Sequence, residues 1–251
     1  MSQTEEVFKR GVSWMHIVTF AIATGVSAIL AIYAVFAVPV APFPGVSGLY
    51  FAAAIYVPLS LWLGMWGPLA GYFSCVILGF ATTPFGPFSF VWSLCDFFEG
   101  LIPLVAFKLF KVDPELKMQR PGITWALFGL LVLDLILGTI SYALTWSEVF
   151  LASIILSLVI VILMGAANPK YWKSWIFYAI FGIIGGAFGS ALFGIGTLVL
   201  GGFAPAEAFW VGFLGWFIGD VLVIGTIGTI LMIALTPRIK RTPIYVRGWF
   251  S

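Results

Sequence analysis

Long apolar runs fill most of the chain, and short segments with proline, glycine or charged residues separate them. A hydrocarbon core about 30 Å thick needs roughly 20 apolar residues per helix, and lipid offers no partner for an unpaired backbone amide. The pattern therefore predicts an all-α fold, a polytopic bundle of transmembrane helices. The predicted spans are Val12–Val40, Ser47–Leu63, Leu69–Thr83, Phe88–Phe110, Ile123–Leu144, Val149–Ala167, Ser174–Leu200 and Ala208–Leu235.

The third of these spans, Leu69–Thr83, is short for a crossing. Its roughly 15 residues give about 22 Å of helix at about 1.5 Å per residue. Spans two and three are therefore either two full crossings or one re-entrant pair, which leaves eight or six crossings. Either number is even, so both ends of the chain are expected on the same side of the membrane.

The basic residues indicate which side that is. All 12 Lys and Arg residues fall in four short segments. Eight crossings, or six with a re-entrant pair, place all four segments on the same face of the membrane. The opposite face carries only the acids Glu148 and Glu207. Because cytoplasmic loops are enriched in Lys and Arg, we predict a multi-pass protein of the cell membrane with both termini in the cytoplasm. The segments hold Lys9 and Arg10; Lys108, Lys111, Lys117 and Arg120; Lys170 and Lys173; and Arg238, Lys240, Arg241 and Arg247.

The composition excludes an ordinary water-soluble protein. Hydrophobic residues make up 62% of the chain and charged residues 9%, whereas soluble domains carry about 25% charged residues. The lipid bilayer is the expected environment, no nucleic-acid partner is expected, and residues 1–251 are interpreted as one transmembrane domain. Similar glycine- and tryptophan-containing stretches precede Asp96 and Asp220, which suggests a weak parallel repeat of residues 12–111 and 123–236.

Four acids lie within the predicted spans, and no basic residue in the spans lies near enough to neutralise them. Each acid costs about 2.5–3.5 kcal/mol to insert. The acids are therefore protonated, hydrogen-bonded, or matched by a bound cation or ligand. Two interpretations stay open: a ligand or proton site, and hydrogen-bonded contacts between helices. The acids are Asp96, Glu99, Asp134 and Asp220, and the expected hydroxyl partners are Ser93, Thr139, Ser141 and Thr226.

Two tryptophans precede acids by one helical turn, Trp92 before Asp96 and Trp216 before Asp220. An aromatic ring beside a carboxylate suits a flat or cationic organic ligand, although tryptophan is also common at membrane surfaces. The substrate-binding hypothesis comprises Asp96, Glu99, Asp134, Asp220, Trp92 and Trp216.

Stripes of small residues mark the first and seventh spans. Small side chains at four-residue spacing let two helix backbones approach closely. The partner helix belongs either to the same bundle or to another subunit. The candidate docking residues are Ala21, Gly25 and Ala28 in span one, and Gly182, Gly186 and Gly194 in span seven.

No motif for catalysis or for a cofactor is present in the sequence. Cys75 and Cys95 lie inside apolar stretches, where we expect packing residues and not a disulfide or a metal pair. His16 is the single histidine, which leaves no paired ligands for haem or zinc. A Ser–His arrangement, a zinc-protease motif and a Walker loop are also lacking. We therefore predict no enzymatic activity, no cofactor and no metal.

Two segments carry a resemblance to a known family. Leu61–Gly71 reads LWLGMWGPLAG and Cys95–Gly100 reads CDFFEG, which resembles the substrate-binding S components of energy-coupling-factor transporters. The same stretch, together with WFIGD at Trp216–Asp220, is similar to a bacterial membrane sensor domain. S components usually have six helices, so eight spans depart from that family's pattern unless spans two and three are a re-entrant pair.

The resemblance implies capture of a small nutrient from outside the cell. It also implies that the small residues of span one dock a transmembrane coupling subunit, with two cytoplasmic ATPases as further partners. Our leading hypothesis is therefore a substrate-binding or transport membrane subunit that partner subunits energise. The alternative is a structural or accessory subunit of a larger membrane complex, such as a respiratory assembly.

Overall fold

The computed structural model describes residues 12–37, 43–144 and 147–250, and its regular elements are helices. Two π-helical segments, Tyr178–Gly185 and Ile224–Gly228, each join two α-helices into one continuous helix, and 3-10 turns at Gly86–Phe88 and Ala206–Ala208 each precede an α-helix. The α-helices are α1 (Trp14–Ala37), α2 (Ala53–Leu63), α3 (Trp66–Thr82), α4 (Ser89–Trp92), α5 (Leu94–Leu109), α6 (Pro121–Ala143), α7 (Ser147–Ala167), α8 (Trp172–Phe177), α9 (Gly186–Leu200), α10 (Phe209–Val223) and α11 (Thr229–Ile239).

Helices long and apolar enough to cross a membrane dominate the described part of the chain. Shorter apolar helices coincide with the second, third and sixth predicted spans: Ala53–Leu63, Trp66–Thr82 and Ile155–Ala167. The prediction of a helical membrane bundle is confirmed at this level, whereas the number of crossings and the orientation stay predictions. The five long stretches are Trp14–Phe36, Gly86–Leu109, Pro121–Gly138, Trp172–Leu200 and Ala206–Ile239.

The outer surface of the bundle fits a lipid environment. Large apolar side chains point outward along α1 and α7, with Ile29 70% exposed and Ile155 63% exposed. In water such surfaces would be costly, but lipid tails are as apolar as the side chains themselves. The first predicted span ends in residues 38–40, and that end lies outside the described residues, as do Lys9 and Arg10.

The second predicted span is only partly helical, because α2 starts at Ala53 and not at Ser47. Residues 43–52, which we name the covering loop, are non-helical, and half of them are buried. The loop turns at Gly45, whose φ of 78° lies in the left-handed region that favours glycine. Hydropathy alone did not separate this buried loop from a helix. The 11 residues of α2 give about 16 Å of helix, too short to cross a bilayer alone.

Helices α2 and α3 form a tight hairpin at Gly64. This residue has a φ of 61°, and a side chain there would collide with the backbone carbonyl of Trp249. The amide of Met65 donates a hydrogen bond to that same carbonyl at 2.7 Å. The C-terminal tail is thereby fixed against the α2–α3 turn.

Helix α5 lies at the centre of the bundle, in contact with α2, α3 and α9. Glycines permit these close approaches. A side chain at Gly71 of α3 would come within 2.9 Å of the Asp96 carbonyl, and one at Gly186 of α9 within 2.9 Å of the Glu99 carbonyl. The acids of α5 are therefore enclosed on several sides by other helices.

The described basic segments meet at one end of the bundle. Lys240 pairs with Asp113 at 2.8 Å and with Glu115 at 2.9 Å. Trp175 donates to the Lys117 carbonyl at 2.9 Å, which ties α8, the helix that contains Lys173, to the same segment. Three of the four basic segments thus lie at one end, as the charge pattern predicts. The membrane side that this end faces stays a prediction.

Candidate functional site

Three of the four intramembrane acids come together inside the bundle. Asp96 and Glu99 on α5 and Asp220 on α10 are all 1% exposed or less. Among the described residues, no salt bridge involves any of the three. Lys108, in the last turn of α5, instead donates to the carbonyls of Val246 at 3.1 Å and Arg247 at 2.6 Å, at the basic end. The acids therefore have no basic partner in the described part of the chain.

Asp96 is held by hydroxyl and thiol donors. Tyr50 of the covering loop donates to its Oδ2 at 2.8 Å, and Cys95 Sγ lies 3.3 Å from its Oδ1. The Tyr50 hydroxyl is also 3.2 Å from that of Tyr56, which in turn bonds Ser74 Oγ at 2.7 Å. One carboxylate oxygen of Asp96 is thus fixed by a network that begins on the covering loop.

Glu99 and Asp220 have no such donors. None of their four carboxyl oxygens has a hydrogen-bond partner among the described residues, although the two side chains are close enough to interact with each other. Two facing carboxylates in a low-dielectric interior repel each other strongly. A proton or another cation between them removes that repulsion, so this pair can hold one positive charge.

Further polar groups without partners surround the pair. Ser190 lies one turn from Gly186 and one turn from Gly194 on α9, and these glycines face Glu99 and Trp216 respectively. The Ser190 hydroxyl and the Trp216 indole nitrogen are both buried and make no hydrogen bond of ordinary geometry in the described chain, although the indole lies near Asp220. Buried polar groups are normally paired, so a proton, an ion or a water molecule bound here would satisfy several of them.

A small cavity lies beside Asp96. Its empty volume is about 210 Å³, but the centre of a water molecule has only about 10 Å³ in which to move. That space is enough for about one water molecule. Covering-loop residues close the cavity, and the rings of Trp92 and Trp216 stand 6.1 Å apart in its wall. The lining residues are Gly45, Val46, Ser47, Tyr50, Cys75, Leu78, Trp92, Asp96 and Trp216.

The covering loop packs against several parts of the bundle. Ser47 Oγ donates to the Ala34 carbonyl of α1 at 2.9 Å. The Gly48 carbonyl lies where a side chain on Gly219 would be, next to Asp220. Gly219 lies ten residues after the start of α10, which is roughly 15 Å along the helix axis at about 1.5 Å per residue. The loop therefore reaches deep into the bundle.

The structure places the fourth predicted acid, Asp134, apart from the others. It lies between α6 and α7, where Ser157 Oγ donates to its Oδ2 at 2.6 Å. Three of the expected hydroxyl partners bond their own helix instead: Ser93 to Ser89, Ser141 to Leu137 and Thr226 to Leu222. Hydroxyl groups in helices commonly bond the carbonyl four residues back. The Thr139 side chain lies outside the described residues.

The predicted docking residues of α8–α9 face this chain's own helices. Side chains at Gly182, Gly186 and Gly194 would come within 3.4 Å of Val57, 2.9 Å of the Glu99 carbonyl and 2.5 Å of the Trp216 ring respectively. In α1, Ala21 and Gly25 lie toward the outside and Ala28 is buried, and a methyl group added at Gly25 would have nothing within 4 Å. A docking role for these six residues stays a prediction.

Sequence reasoning did not identify Tyr50 and Tyr56 as members of the Asp96 hydrogen-bond network. It also did not predict that the two cysteines lie next to each other. The Cys75 and Cys95 sulfurs and an Asp96 oxygen all lie within 4.8 Å of one another. One signal for this was present in the sequence, because Gly71, Cys75 and Gly79 follow four-residue spacing. Both glycines face residues of α4–α5, namely Ser89 and Asp96, so Cys75 between them faces the same way.

The fold and the site together define a helical membrane protein with a closed, acid-lined interior. Comparisons of the chain with protein-family models, with curated proteins and with solved structures find no match. The resemblance to S components therefore stays a prediction, and the function is argued from the site itself.

Proposed function

We propose that this chain is a substrate-binding membrane subunit, which captures a small molecule from outside and delivers it for transport energised by partner subunits. The observation that carries the proposal is the covering loop. It brings ten residues of non-helical backbone, 43–52, into the interior and closes the cavity beside Asp96.

Irregular backbone at membrane depth is tolerated only where protein buries it or where it lines a cavity. Transporters use such interrupted segments to build ligand sites. A chain with a purely structural role gains nothing from replacing helix by loop here, because a continuous helix satisfies its own backbone groups. The covering loop therefore favours a binding role over an accessory role.

The position of the loop suggests the route of the ligand. The cavity lies toward the end of the bundle opposite the basic residues, since its lining residue Gly45 lies against Thr83 at the α3–α4 connection. With the basic end in the cytoplasm, this route starts outside the cell. The cavity fits about one water molecule, so a larger ligand enters only when the covering loop moves.

The chemistry of the lining suggests the class of ligand. Asp96 offers a carboxylate, and Trp92 and Trp216 offer ring faces and two indole N–H groups without partners among the described residues. A carboxylate between aromatic rings suits a small cationic or hydrogen-bonding organic molecule.

Mass spectrometry of the protein gently extracted from its own membranes tests the proposal. Small molecules released by denaturation are identified and counted per chain. We expect one organic mass at close to one copy per chain. Asp96→Asn should lose most of it, whereas the matched control Asp134→Asn should keep it. Asp134 is also a buried intramembrane acid, but it lies outside the cavity lining.

Two results would oppose the proposal. Equal retention by Asp96→Asn and Asp134→Asn would place the ligand elsewhere. A stable assembly with redox or other enzyme subunits, and no organic mass in any sample, would favour an accessory subunit instead.

A further inference from the structure

The two cysteines of the chain meet in the bundle interior. Cys75 lies on α3 and Cys95 on α5, both are buried, and neither is in a disulfide. Their sulfur atoms and an Asp96 carboxylate oxygen lie within 4.8 Å of one another. The chain contains 2 cysteines in all, so this cluster gathers every thiol that the protein has.

The spacing of these donor atoms is close to what a zinc ion needs. With Zn–S of about 2.3 Å and Zn–O of about 2.1 Å, a tetrahedral ion sets two sulfurs about 3.8 Å apart and a sulfur and an oxygen about 3.6 Å apart. Cys95 Sγ and Asp96 Oδ1 are 3.3 Å apart. The other two separations are at most 4.8 Å, so the three donors lie near enough to one another to share one ion after side-chain rotation.

Asp96 is oriented for this role by a residue outside the cluster. Tyr50 donates to Oδ2 at 2.8 Å, which leaves Oδ1 turned toward Cys95. Metal-bound carboxylates are commonly held in this way by a hydrogen bond to the oxygen that does not bind the metal. Simple packing of two small thiols requires no such arrangement.

A fourth coordination position is also available. Cys75 and Asp96 line the cavity, whose space is enough for about one water molecule. Three protein ligands and one water are typical of zinc sites that exchange a ligand, whereas closed structural sites use four protein ligands.

We propose that Cys75, Cys95 and Asp96 bind a thiophilic divalent metal ion of the zinc type, with a water molecule from the cavity as fourth ligand. The carboxylate favours Zn²⁺ over Cu⁺, which prefers soft ligands alone. Binding replaces the two thiol protons, which leave to the solvent, and no electron is transferred. The ion would lie in the site of the proposed function, because both proposals use Asp96 and the same cavity. Metal binding by the isolated chain is measured separately from retention of an organic molecule, so the failure of one proposal is distinguishable from the failure of the other.

Cobalt titration of the full chain tests the proposal. The protein is reduced, freed of metal with a chelator and placed in lipid nanodiscs, and Co²⁺ is added as the spectroscopic probe. We expect a thiolate-to-cobalt absorption band that saturates at one Co²⁺ per chain and disappears when one equivalent of Zn²⁺ is added. Because both thiols belong to the cluster, this band has no other source in the protein.

Variants identify the ligands. Cys75→Ser and Cys95→Ser should abolish the cobalt band, and Tyr50→Phe should weaken affinity by roughly 10–100-fold through the lost orientation of Asp96. The matched control Asp134→Asn should bind as the unmodified chain does. Should the serine variants fold poorly, protection of both thiols from maleimide by Zn²⁺ in the unmodified chain gives the same answer.

Three results would overturn the proposal. The first is the lack of a cobalt–thiolate band in the unmodified chain at one equivalent. The second is maleimide labelling that Zn²⁺ does not slow. The third is a band that only Cu⁺ displaces, which would show that the site is a two-thiolate copper site and that Asp96 has no part in it.

Discussion

The α6–α7 hairpin and the interior formed by α5, α9 and α10 both bury acids, but they treat them differently. In the hairpin, Asp134 has one hydroxyl donor, Ser157, at 2.6 Å. In the interior, Glu99 and Asp220 face each other without a hydrogen-bond partner in the described chain. Both kinds of acid are expensive to bury.

The difference separates two roles that the sequence left open. An acid with a matched donor on the neighbouring helix serves as a contact between helices, which fits Asp134. Acids whose donors are missing need a species from outside the chain, which fits Glu99 and Asp220. We therefore expect the same residue type to have a structural role in the hairpin and, under the proposed function, a binding role in the interior.

The largest effect is expected from overpacking the contact between α9 and α10. Gly194→Leu would drive a side chain into the Trp216 ring, which already lies 2.5 Å from the position of a methyl group. Overpacking commonly costs about 1–3 kcal/mol and sometimes more, and we expect the upper end of that range. Thermal unfolding in one detergent measures the change.

Gly129→Leu on α6 is the matched control. A methyl group at Gly129 has nothing within 4 Å, so this substitution should change stability by less than about 0.5 kcal/mol. Equal tolerance of the two leucines would mean that α9 and α10 do not pack as described.

The next effect concerns the unpaired acids. Glu99 and Asp220 do not line the cavity, but each lies about one helical turn from a residue that does, Asp96 and Trp216 respectively. Glu99→Gln and Asp220→Asn should therefore each reduce retention of the co-purified organic molecule by roughly 10-fold, less than Asp96→Asn does, since coupling between neighbouring groups is about 0.5–3 kcal/mol. Asp134→Asn should leave retention unchanged. Mass spectrometry of the extracted proteins gives the ratios.

The thermal stability of the Glu99→Gln and Asp220→Asn variants is expected to change in the opposite direction to their ligand retention. Because Glu99 and Asp220 lack donors, their amide variants should unfold at the same temperature as the unmodified chain or higher. A loss of stability without a loss of ligand would assign Glu99 and Asp220 the structural role instead.

The sequence predicts the helices better than it predicts the site. Apolar length and charge order were enough to locate the long and short apolar helices of the described residues, because lipid leaves few alternatives to helix. The covering loop was not predictable in this way. Residues 47–52 are as apolar as a span, and only their contacts with Gly219 and Asp96 explain why they are not helical.

The four acids were equally ambiguous in the sequence. Asp134 and Asp220 both sit near the middle of an apolar span, so depth does not distinguish them. Their roles differ through Ser157, which is 23 residues from Asp134, and through Glu99, which is on another helix. Such partners depend on how the helices pack, which hydropathy does not describe.

A smaller effect is expected from removing the donor to Asp134. Ser157→Ala leaves a buried carboxylate without its hydroxyl, which costs about 1–3 kcal/mol. Ser190→Ala is the matched change in the interior, where the hydroxyl has no partner among the described residues, and it should cost less than about 0.5 kcal/mol. Chemical unfolding of the two variants decides between these expectations, and equal losses would remove the distinction between the two regions.

The smallest effect on stability is expected at the surface, where Lys240 forms ion pairs with Asp113 and Glu115. Burial lowers the pKa of Lys240, but hydrogen bonds to Asp113 and Glu115 and the attraction of their charges raise this pKa by more than burial lowers it, so the net change is upward. A base whose pKa is raised on folding stabilises the folded state, and this contribution is fully present at pH values below the unfolded pKa of about 10.4. That contribution is lost only as the pH rises through the pKa of the folded state. The contribution of Lys240 to stability should therefore not change with pH near neutrality.

Substitution of this lysine measures what the ion pair contributes. Lys240→Gln should cost about 0.5–1 kcal/mol, less in high salt, because the pair is partly exposed and screened. Lys173→Gln, an exposed lysine without an ion pair in the described chain, should cost nothing measurable in the same unfolding assay. If the two variants unfold alike, the ion pair contributes nothing, and the tail is held by its other contacts, among them the Met65–Trp249, Val246–Trp62 and Lys108 hydrogen bonds.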